Sequence, residues 1–226
     1  MTKPPRCAPM INLNLPKLLL NLSILSILFH TPIAEAKYRP RRVRTYTGTT
    51  GTTGTRGICD NSKPQQRLTA IAPLSHIGET SSSTPSVTWF VPDSTPHSLI
   101  LRLWDNNKIV GETPLKSTSG LMTVPLPATL VPDRTYRWQV SLICDPSRPS
   151  KSQVTHAFIT YSSTIAPASE ERWYDALNAA LPNPKQYQEL LTDLKTIETD
   201  ALTAEPKESD RFELLEQHIK SLNNLP

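Results

Sequence analysis

The 226-residue sequence predicts a mainly β protein, in which a two-sheet sandwich of about seven strands precedes two or three helices. Between residues 56 and 167, short runs rich in Val, Ile, Trp, Phe and Tyr alternate with Pro and Ser/Thr clusters. Between residues 168 and 226 the apolar period changes from two residues to about 3.6 residues. These observations divide the chain into a β-sandwich domain, 56–167, and a helical C-terminal region, 168–226.

Residues 1–36 have the three parts of a secretory signal peptide. Basic residues precede an apolar run from Leu18 to Phe29, and Ala34-Glu35-Ala36 supplies small residues before a cleavage point. The alternative is a membrane anchor, but the apolar run is short for about 30 Å of hydrocarbon. We therefore expect export to the periplasm or out of the cell, with a mature chain that begins at Lys37 and has no transmembrane segment.

Residues 37–55 combine a basic run with a Thr/Gly-rich linker, and we expect them to be disordered. Residues 37–67 carry eight Lys or Arg against one acid, whereas residues 168–226 carry six against twelve. The run "KYRPRRVR" at 37–44 suits peripheral contact with anionic lipid, with anionic wall polymer or with the acidic tail. A solvated leader is the simpler alternative, and export argues against nucleic acid as a partner.

Two of the three cysteines, Cys59 and Cys144, follow the predicted leader, whereas Cys7 lies in it, or before it if translation starts at Met10. Two cysteines in an exported chain predict a structural disulfide. A redox pair usually shows C-x-x-C and a zinc site four ligands at recognisable spacing, and the sequence has neither. In the chain-entropy model a bridge over about 85 residues stabilises the fold by roughly 4–5 kcal/mol.

Seven runs have the length and composition of strands, and we expect an immunoglobulin-like arrangement of them. In the run that ends at Cys144, period two puts this cysteine on the same buried face as Trp138. Asn106-Asn107 predicts a hairpin turn. Leu142 stands where a true immunoglobulin domain has Tyr, so only the architecture is expected to be shared. The runs are 67–73, 86–92, 97–105, 108–115, 121–127, 135–144 and 154–162.

The helical region begins with an apolar stripe formed by Trp173, Leu177 and Leu181, with Ser169 as the predicted N-cap. Asn183, followed by a proline, predicts the start of a second helix, and a third follows "EPKESD". Because short amphipathic helices cannot leave such a face in water, we expect the stripe to pack on the sandwich or the second helix. The alternative is that the stripe is a partner face.

Five segments occur in order along the chain: "GTRGIC" (54–59), "LTAIAP" (68–73), "PSVTWFVP" (85–92), "YRWQVSLICDPSRPS" (136–150) and "WYDAL" (173–177). Together they resemble the secreted cyanobacterial family catalogued as domain of unknown function 928. The resemblance covers about residues 54–200, includes both cysteines, and implies export and a β-plus-helix layout without an assigned activity. The sequence departs from the family where "HAFITYSS" stands in place of a Trp-containing strand.

The sequence contains no recognisable catalytic, cofactor-binding or metal motif. It has no G-x-S-x-G elbow and no phosphate-binding glycine loop. The histidines at 76, 97, 156 and 218 do not lie at metal-ligand spacing from another His or Cys. The two carboxylates of a glycoside hydrolase come together only in the folded protein, so their spacing in the sequence does not reveal them. A turn is the better explanation of each candidate acid, and a solvated sheet face explains Arg137 and Gln139 better than a binding role does. The candidate acids are Asp93, Asp105, Glu112, Asp133 and Asp145.

Two functional hypotheses follow from this pattern. The first is a non-catalytic exported binding or scaffold module of the cell envelope, with an envelope protein or polymer as its partner and no cofactor. The alternative is an envelope hydrolase with an unrecognised carboxylate pair. A flat apolar groove between tail and sandwich would favour the first, and a deep concave pocket lined by two carboxylates within roughly 5–10 Å would favour the second.

Overall fold

A computed structural model describes residues 38–40, 59, 67–163, 171–207 and 209–226 of the chain. The predicted leader and its cleavage point lie outside the described residues, and only Tyr38, Arg39 and Pro40 of the basic run are described. Among the described residues, no helix has the length and apolar character needed to cross a bilayer.

The described strands form two sheets, which confirms the predicted sandwich. The smaller sheet has the order β1-β3-β6, and the larger has the order β2-β8-β7-β4-β5. The β2–β8 pair is parallel and the other strand pairs are antiparallel. The strands are β1 Thr69–Ala70, β2 Gly78–Thr80, β3 Ser86–Val91, β4 Ser98–Asp105, β5 Lys108–Lys116, β6 Gly120–Pro125, β7 Thr135–Ile143 and β8 Gln153–Tyr161.

Period-two patterning places the core between the sheets. Leu101 of β4 pairs with Val140 of β7, Leu103 pairs with Trp138, and all four side chains are buried. Asp105 and Lys108 close the predicted two-residue hairpin between β4 and β5. Asn106 occupies the left-handed conformation there, with φ 53°, which asparagine tolerates better than most residues.

Strand β2 was not among the predicted runs. It has three residues, begins at a glycine and pairs in parallel with the end of β8, so it carries no alternating pattern of its own. Strand β1 is likewise shorter than the predicted run 67–73, because only Thr69 and Ala70 pair with β3. Pairing with neighbouring strands, rather than local composition, defines both elements.

Three helices follow the sandwich, α1 Trp173–Ala180, α2 Pro184–Ala204 and α3 Asp210–Asn223. The Asn183 side chain accepts hydrogen bonds from the backbone N–H groups of Lys185 and Gln186, which confirms the predicted cap of α2. The predicted cap of α1 at Ser169 is wrong, because the helix begins at Trp173 with Arg172 in the cap position. Arg172 makes no side-chain cap hydrogen bond, so packing rather than capping sets this helix start.

Helix α1 packs against β2 and shares one core with the sandwich. The Tyr174 hydroxyl donates to the carbonyl of Phe158 at 2.9 Å and accepts from the indole N–H of Trp138 at 2.7 Å. A side chain at Gly78 would place its Cβ 2.7 Å from the Tyr174 ring, so this approach requires glycine. Asp175 accepts from the Thr80 hydroxyl at 2.7 Å and fixes the start of the helix against the same strand.

Cys59 and Cys144 form the predicted disulfide, with their Cα atoms 5.2 Å apart. Cys59 is buried, but Cys144 lies just beyond the end of β7 and is half-buried, so it is less enclosed than the period-two argument predicted. Tyr38 also differs from expectation. It belongs to the segment 37–55 that we expected to be disordered, yet it is 3% exposed and part of the core.

Candidate functional site

A cluster of three residues of metal-binding type lies at the disulfide. The Sγ atom of Cys59, a carboxylate oxygen of Asp93 and a ring nitrogen of His97 lie within 4.8 Å of one another. The Nε2 atom of His97 is 2.9 Å from the Oδ2 atom of Asp93, and the backbone N–H of Thr95 donates to Oδ1 at 2.8 Å. Because Cys59 is in the disulfide, its sulfur is not a thiolate, so the oxidised cluster lacks one strong ligand.

A second polar cluster, the Glu198 network, joins the helices to the loop after β1. Glu198 of α2 accepts from the backbone N–H groups of Leu74 and Ser75, and its Oε1 atom accepts from the Ser75 hydroxyl at 2.8 Å. The Ser75 hydroxyl is 2.8 Å from Nδ1 of His76, and Nε2 of His76 is 2.7 Å from the Tyr38 hydroxyl. The side chains of Tyr38, Ser75, His76 and Glu198 are all buried.

One arrangement of protons satisfies the whole Glu198 network. The Tyr38 hydroxyl donates to Nε2 of His76, Nδ1–H of His76 donates to the Ser75 hydroxyl, and that hydroxyl donates to Glu198. This assignment requires a neutral imidazole, and burial lowers the pKa of His76 to about 4. Burial, and secondarily the neighbouring acidic groups, raises the pKa of the Tyr38 hydroxyl, so it remains a donor.

The Glu198 network contains the residue types of a hydrolase triad but not its geometry. In a triad the histidine accepts the serine proton, whereas here the Ser75 proton goes to Glu198 and both imidazole nitrogens are engaged. Ser75 is buried, so a substrate has no access to its hydroxyl. The network therefore holds the loop, the helices and the N-terminal segment together.

Tyr38 extends this network to the segment that precedes the linker. Its backbone N–H donates to Oδ2 of Asp193 at 2.8 Å, and its ring meets Trp173 edge-on with centroids 5.0 Å apart. Arg211 of α3 donates to the Ser75 carbonyl at 2.7 Å and adds the third helix to the same contact. The buried tyrosine thus ties the N-terminal segment to α1 and α2.

An open cleft of about 590 Å³, the tail–sandwich cleft, lies between α3 and the edges of β1 and β8. Arg67 and Lys220 supply positive charge at its exposed parts. Among the described residues that line the cleft there is no Asp or Glu, although Glu216, which is not part of the lining, pairs with Lys220 at 3.1 Å. The other lining residues are Leu68, Thr69, Leu74, Val154, Thr155, His156, Leu214, Gln217, His218, Ser221 and Asn224.

Two histidines in the tail–sandwich cleft are kept neutral. Burial, with smaller effects from Arg137 and His218, lowers the pKa of His156 to about 4. His156 is 6% exposed, and its Nε2 atom has no hydrogen-bond partner in the described part of the chain. Nε2 of His218 lies 3.0 Å from the carbonyl of Ala72, to which it donates, and burial lowers the pKa of His218 as well. Among the described residues, the wall of the cleft therefore contains a buried imidazole nitrogen that has no hydrogen-bond partner.

The stripe of α1 is covered by this chain itself. Trp173 and Leu177 are buried in the common core, Trp173 donates its indole N–H to the Ile71 carbonyl at 2.9 Å, and Leu181 packs half-buried beside them. The expected packing against the sandwich is thus observed. Use of the same stripe as a partner face stays a prediction, and it would require α1 to move away from the core.

The candidate acids do not line the cleft, and they have local roles. Asp105 pairs with Arg134 at 2.7 Å, and Glu112 pairs with Arg102 at 2.6 Å. The other three shape turns: Asp93 accepts from Thr95, Asp145 accepts from Ser147 at 2.9 Å, and Asp133 has a φ of 59°.

Two polar residues predicted on the outer sheet face lie there with local contacts. The Arg137 guanidinium stacks 5.0 Å above the Trp104 ring, and Gln139 donates to Ser141 at 3.3 Å. Both side chains are half-buried, so this face is less open to solvent than we expected.

No pattern in the sequence indicated the residues of the tail–sandwich cleft, of the Glu198 network or of the cluster beside the disulfide. Each joins residues from distant parts of the chain, as in the contact between Ser75 and Glu198, 123 positions apart. Spacing motifs detect ligands that are close in sequence, so they cannot find such sites. Two local signals existed, Glu198 on the apolar side of α2 and His156 within a strand, because buried polar residues need partners.

Comparison with known proteins identifies one family. The profile described as Domain of Unknown Function (DUF928) matches residues 51–170, about half of the chain. No curated protein matches the sequence. A crystal structure of an engineered protein is similar over 42% of this chain and 20% of its own length, with 12% sequence identity and a TM-score of 0.32. The chain thus spans about a fifth of that engineered protein.

Proposed function

The chain belongs to the family of the domain of unknown function 928, and on that premise we propose that it is a non-catalytic binding module of the cell envelope. In this proposal the protein is exported, and its ligand is an acidic glycan that carries carboxylate groups. The ligand binds in the tail–sandwich cleft. The leader-like pattern of residues 1–36 and the Cys59–Cys144 disulfide support an exported location.

The observation that carries the proposal is the charge of the cleft. Its described lining includes Arg67 and Lys220 and no acidic residue, and both of its histidines are neutral near pH 7. Cations at the edge of a concave site attract anionic ligands and can donate charge-assisted hydrogen bonds to carboxylates. The acid-free lining favours an anion over a cationic or metal ligand.

The neutral residues of the cleft favour a sugar over a small inorganic anion. Gln217, Ser221 and Thr155 offer amide and hydroxyl groups of the kind that pair with sugar hydroxyls. Leu214 and Val154, both half-buried, provide apolar surface against which the carbon face of a sugar ring can pack. A volume of about 590 Å³ falls in the range of small-ligand sites and suits a short saccharide segment.

A hydrolase is the weaker alternative. Retaining and inverting glycosidases both use two carboxylates that flank the scissile bond. The described lining of the cleft has none, and Asp105 and Glu112 pair with arginines elsewhere. Ser75 and His76 cannot supply a nucleophile, because both are buried and hydrogen-bonded. Binding without cleavage is therefore the function that this geometry supports best.

Calorimetric titration with two matched oligosaccharides tests the proposal. We expect the full chain to bind a uronic-acid oligomer, and to bind a neutral oligomer of equal length at least roughly tenfold more weakly. Added salt should weaken the acidic complex, and the oligomer should be recovered intact after prolonged incubation. Equal affinity for both oligomers, or shortened products, would contradict the proposal. Binding of inorganic phosphate with the same affinity would reduce the site to a simple anion site.

A further inference from the structure

The cluster beside the disulfide contains more ligands than a structural bridge needs. Asp93 and His97 come from the loop between β3 and β4, Cys59 precedes β1, and Cys144 follows β7. The Asp93 side chain is fully buried, and that of His97 is 18% exposed. One atom from each of Cys59, Asp93 and His97 lies within 4.8 Å of the other two, and the Cys144 sulfur is bonded to that of Cys59.

The donor set has the chemistry of a zinc site. Two thiolates, one imidazole and one carboxylate are ligands that Zn²⁺ takes in a four-coordinate tetrahedral arrangement. In the disulfide state neither sulfur is a thiolate, so the four ligands become available together only when the bridge is reduced. The site and the disulfide are thus alternative states of the same two cysteines.

We propose that Cys59, Cys144, Asp93 and His97 form a redox-dependent zinc site. A dithiol reductant breaks the S–S bond, is itself oxidised to a disulfide, and leaves two protein thiols. Binding of Zn²⁺ then releases the two thiol protons to solvent, while Asp93 binds as carboxylate and His97 as neutral imidazole. The ion therefore replaces the covalent bond as the link between the start of the domain and the end of β7.

The surroundings are suited to hold such an ion. With Zn–S bonds of about 2.3 Å, a tetrahedral site places two sulfurs roughly 3.8 Å apart, which rotation of the cysteine side chains can supply from Cα atoms 5.2 Å apart. The Thr95 N–H orients the Asp93 carboxylate, and the Gln153 amide lies 3.7 Å from the Cys59 sulfur as a donor to a thiolate. Such outer contacts orient ligands in established zinc sites.

Cobalt binding to the reduced full chain tests this site. The experiment uses the Cys7→Ser variant, which lacks the third thiol of the chain. The dithiol reductant is removed under anaerobic conditions before Co²⁺ is added. We expect one equivalent of Co²⁺ to bind with thiolate-to-metal absorption and to be displaced by Zn²⁺, and we expect the oxidised protein to bind none. His97→Gln and Asp93→Asn should each weaken binding at least about tenfold, whereas His218→Gln, outside the cluster, should not.

Two results would overturn the proposal. One is a reduced protein that binds no Co²⁺. The other is binding that His97→Gln and Asp93→Asn leave unchanged, since the thiols would then act alone. If a variant does not fold, the rate at which the thiols of the reduced Cys7→Ser protein are alkylated provides the test instead. Bound Zn²⁺ should slow labelling of Cys59 and Cys144 at least about tenfold, and unchanged labelling would refute the site.

Discussion

Two polar regions lie where the helical tail meets the sandwich, and they differ in how their hydrogen bonds are satisfied. In the Glu198 network every donor from Tyr38 to Ser75 has an acceptor, and the side chains are buried. In the tail–sandwich cleft the region is open, its cations lie at the surface, and Nε2 of His156 has no partner among the described residues. The first region is closed and complete, and the second is open and incomplete.

This difference distinguishes a structural cluster from a binding site better than the types of residue do. Serine, histidine and glutamate together resemble catalytic machinery, yet a satisfied and buried set of them stabilises the fold. The residues of the cleft do not resemble catalytic machinery. However, the cleft is open to solvent and carries positive charge, and Nε2 of His156 in its wall has no partner among the described residues. We therefore expect changes in the closed region to alter stability, and changes in the cleft to alter binding.

The largest expected effect is at the aromatic anchor of the closed region. Trp173→Ala should lower the free energy of unfolding by about 3–5 kcal/mol, because it removes a fully buried indole and its hydrogen bond to Ile71. Leu121→Ala, at a side chain that is 41% exposed, should change stability by less than about 0.5 kcal/mol. Denaturant unfolding measures both. A Trp173→Ala protein as stable as the control would show that α1 is not held by the core.

A slightly smaller effect is expected at the acceptor of the network. Glu198→Ala leaves the N–H groups of Leu74 and Ser75 and the Ser75 hydroxyl without their acceptor, which should cost about 3 kcal/mol. Asp200→Ala, at an exposed position of the same helix, is the matched control and should be nearly neutral. Equal thermal melting of the two variants would show that the network contributes no stability.

Acidification should destabilise both regions through His76 and His156. The pKa of each is about 4 in the fold and about 6.5 when unfolded, so between these values the unfolded chain binds more protons. The free energy of unfolding should therefore fall as the pH is lowered from 7 to 5, on the order of 1–2 kcal/mol per histidine. His76→Gln and His156→Gln should each flatten this dependence. An unchanged slope in the double variant would refute the assignment.

Much of the fold could be predicted because its causes are local. Alternation placed Trp138 in the core, Asn106-Asn107 marked the hairpin, and Asn183 before a proline marked the start of α2. The disulfide followed from counting the cysteines that lie beyond the predicted leader. In each case neighbouring residues, or a small count, determine the outcome.

The sites could not be predicted because their causes are distant. Tyr38 lies in a basic segment, and only its contacts with His76 and Trp173 reveal that it is buried. Strand β2 exists because the end of β8 offers it an edge. The tail–sandwich cleft combines Arg67 with Lys220, residues that only the docking of α3 brings to one opening.

The most direct test compares two exposed helical lysines, each of which pairs with a glutamate one helical turn away. Lys220 pairs with Glu216 at 3.1 Å and lines the cleft, whereas Lys185 pairs with Glu189 at 3.6 Å on α2, and each pair spans one helical turn. Exposed pairs of this kind contribute little, so Lys220→Ala and Lys185→Ala should each change stability by less than about 0.5 kcal/mol. Titration with the uronic-acid oligomer should show roughly tenfold weaker binding for Lys220→Ala and no change for Lys185→Ala. Equal affinity in the two variants would contradict the assignment of the ligand to the cleft.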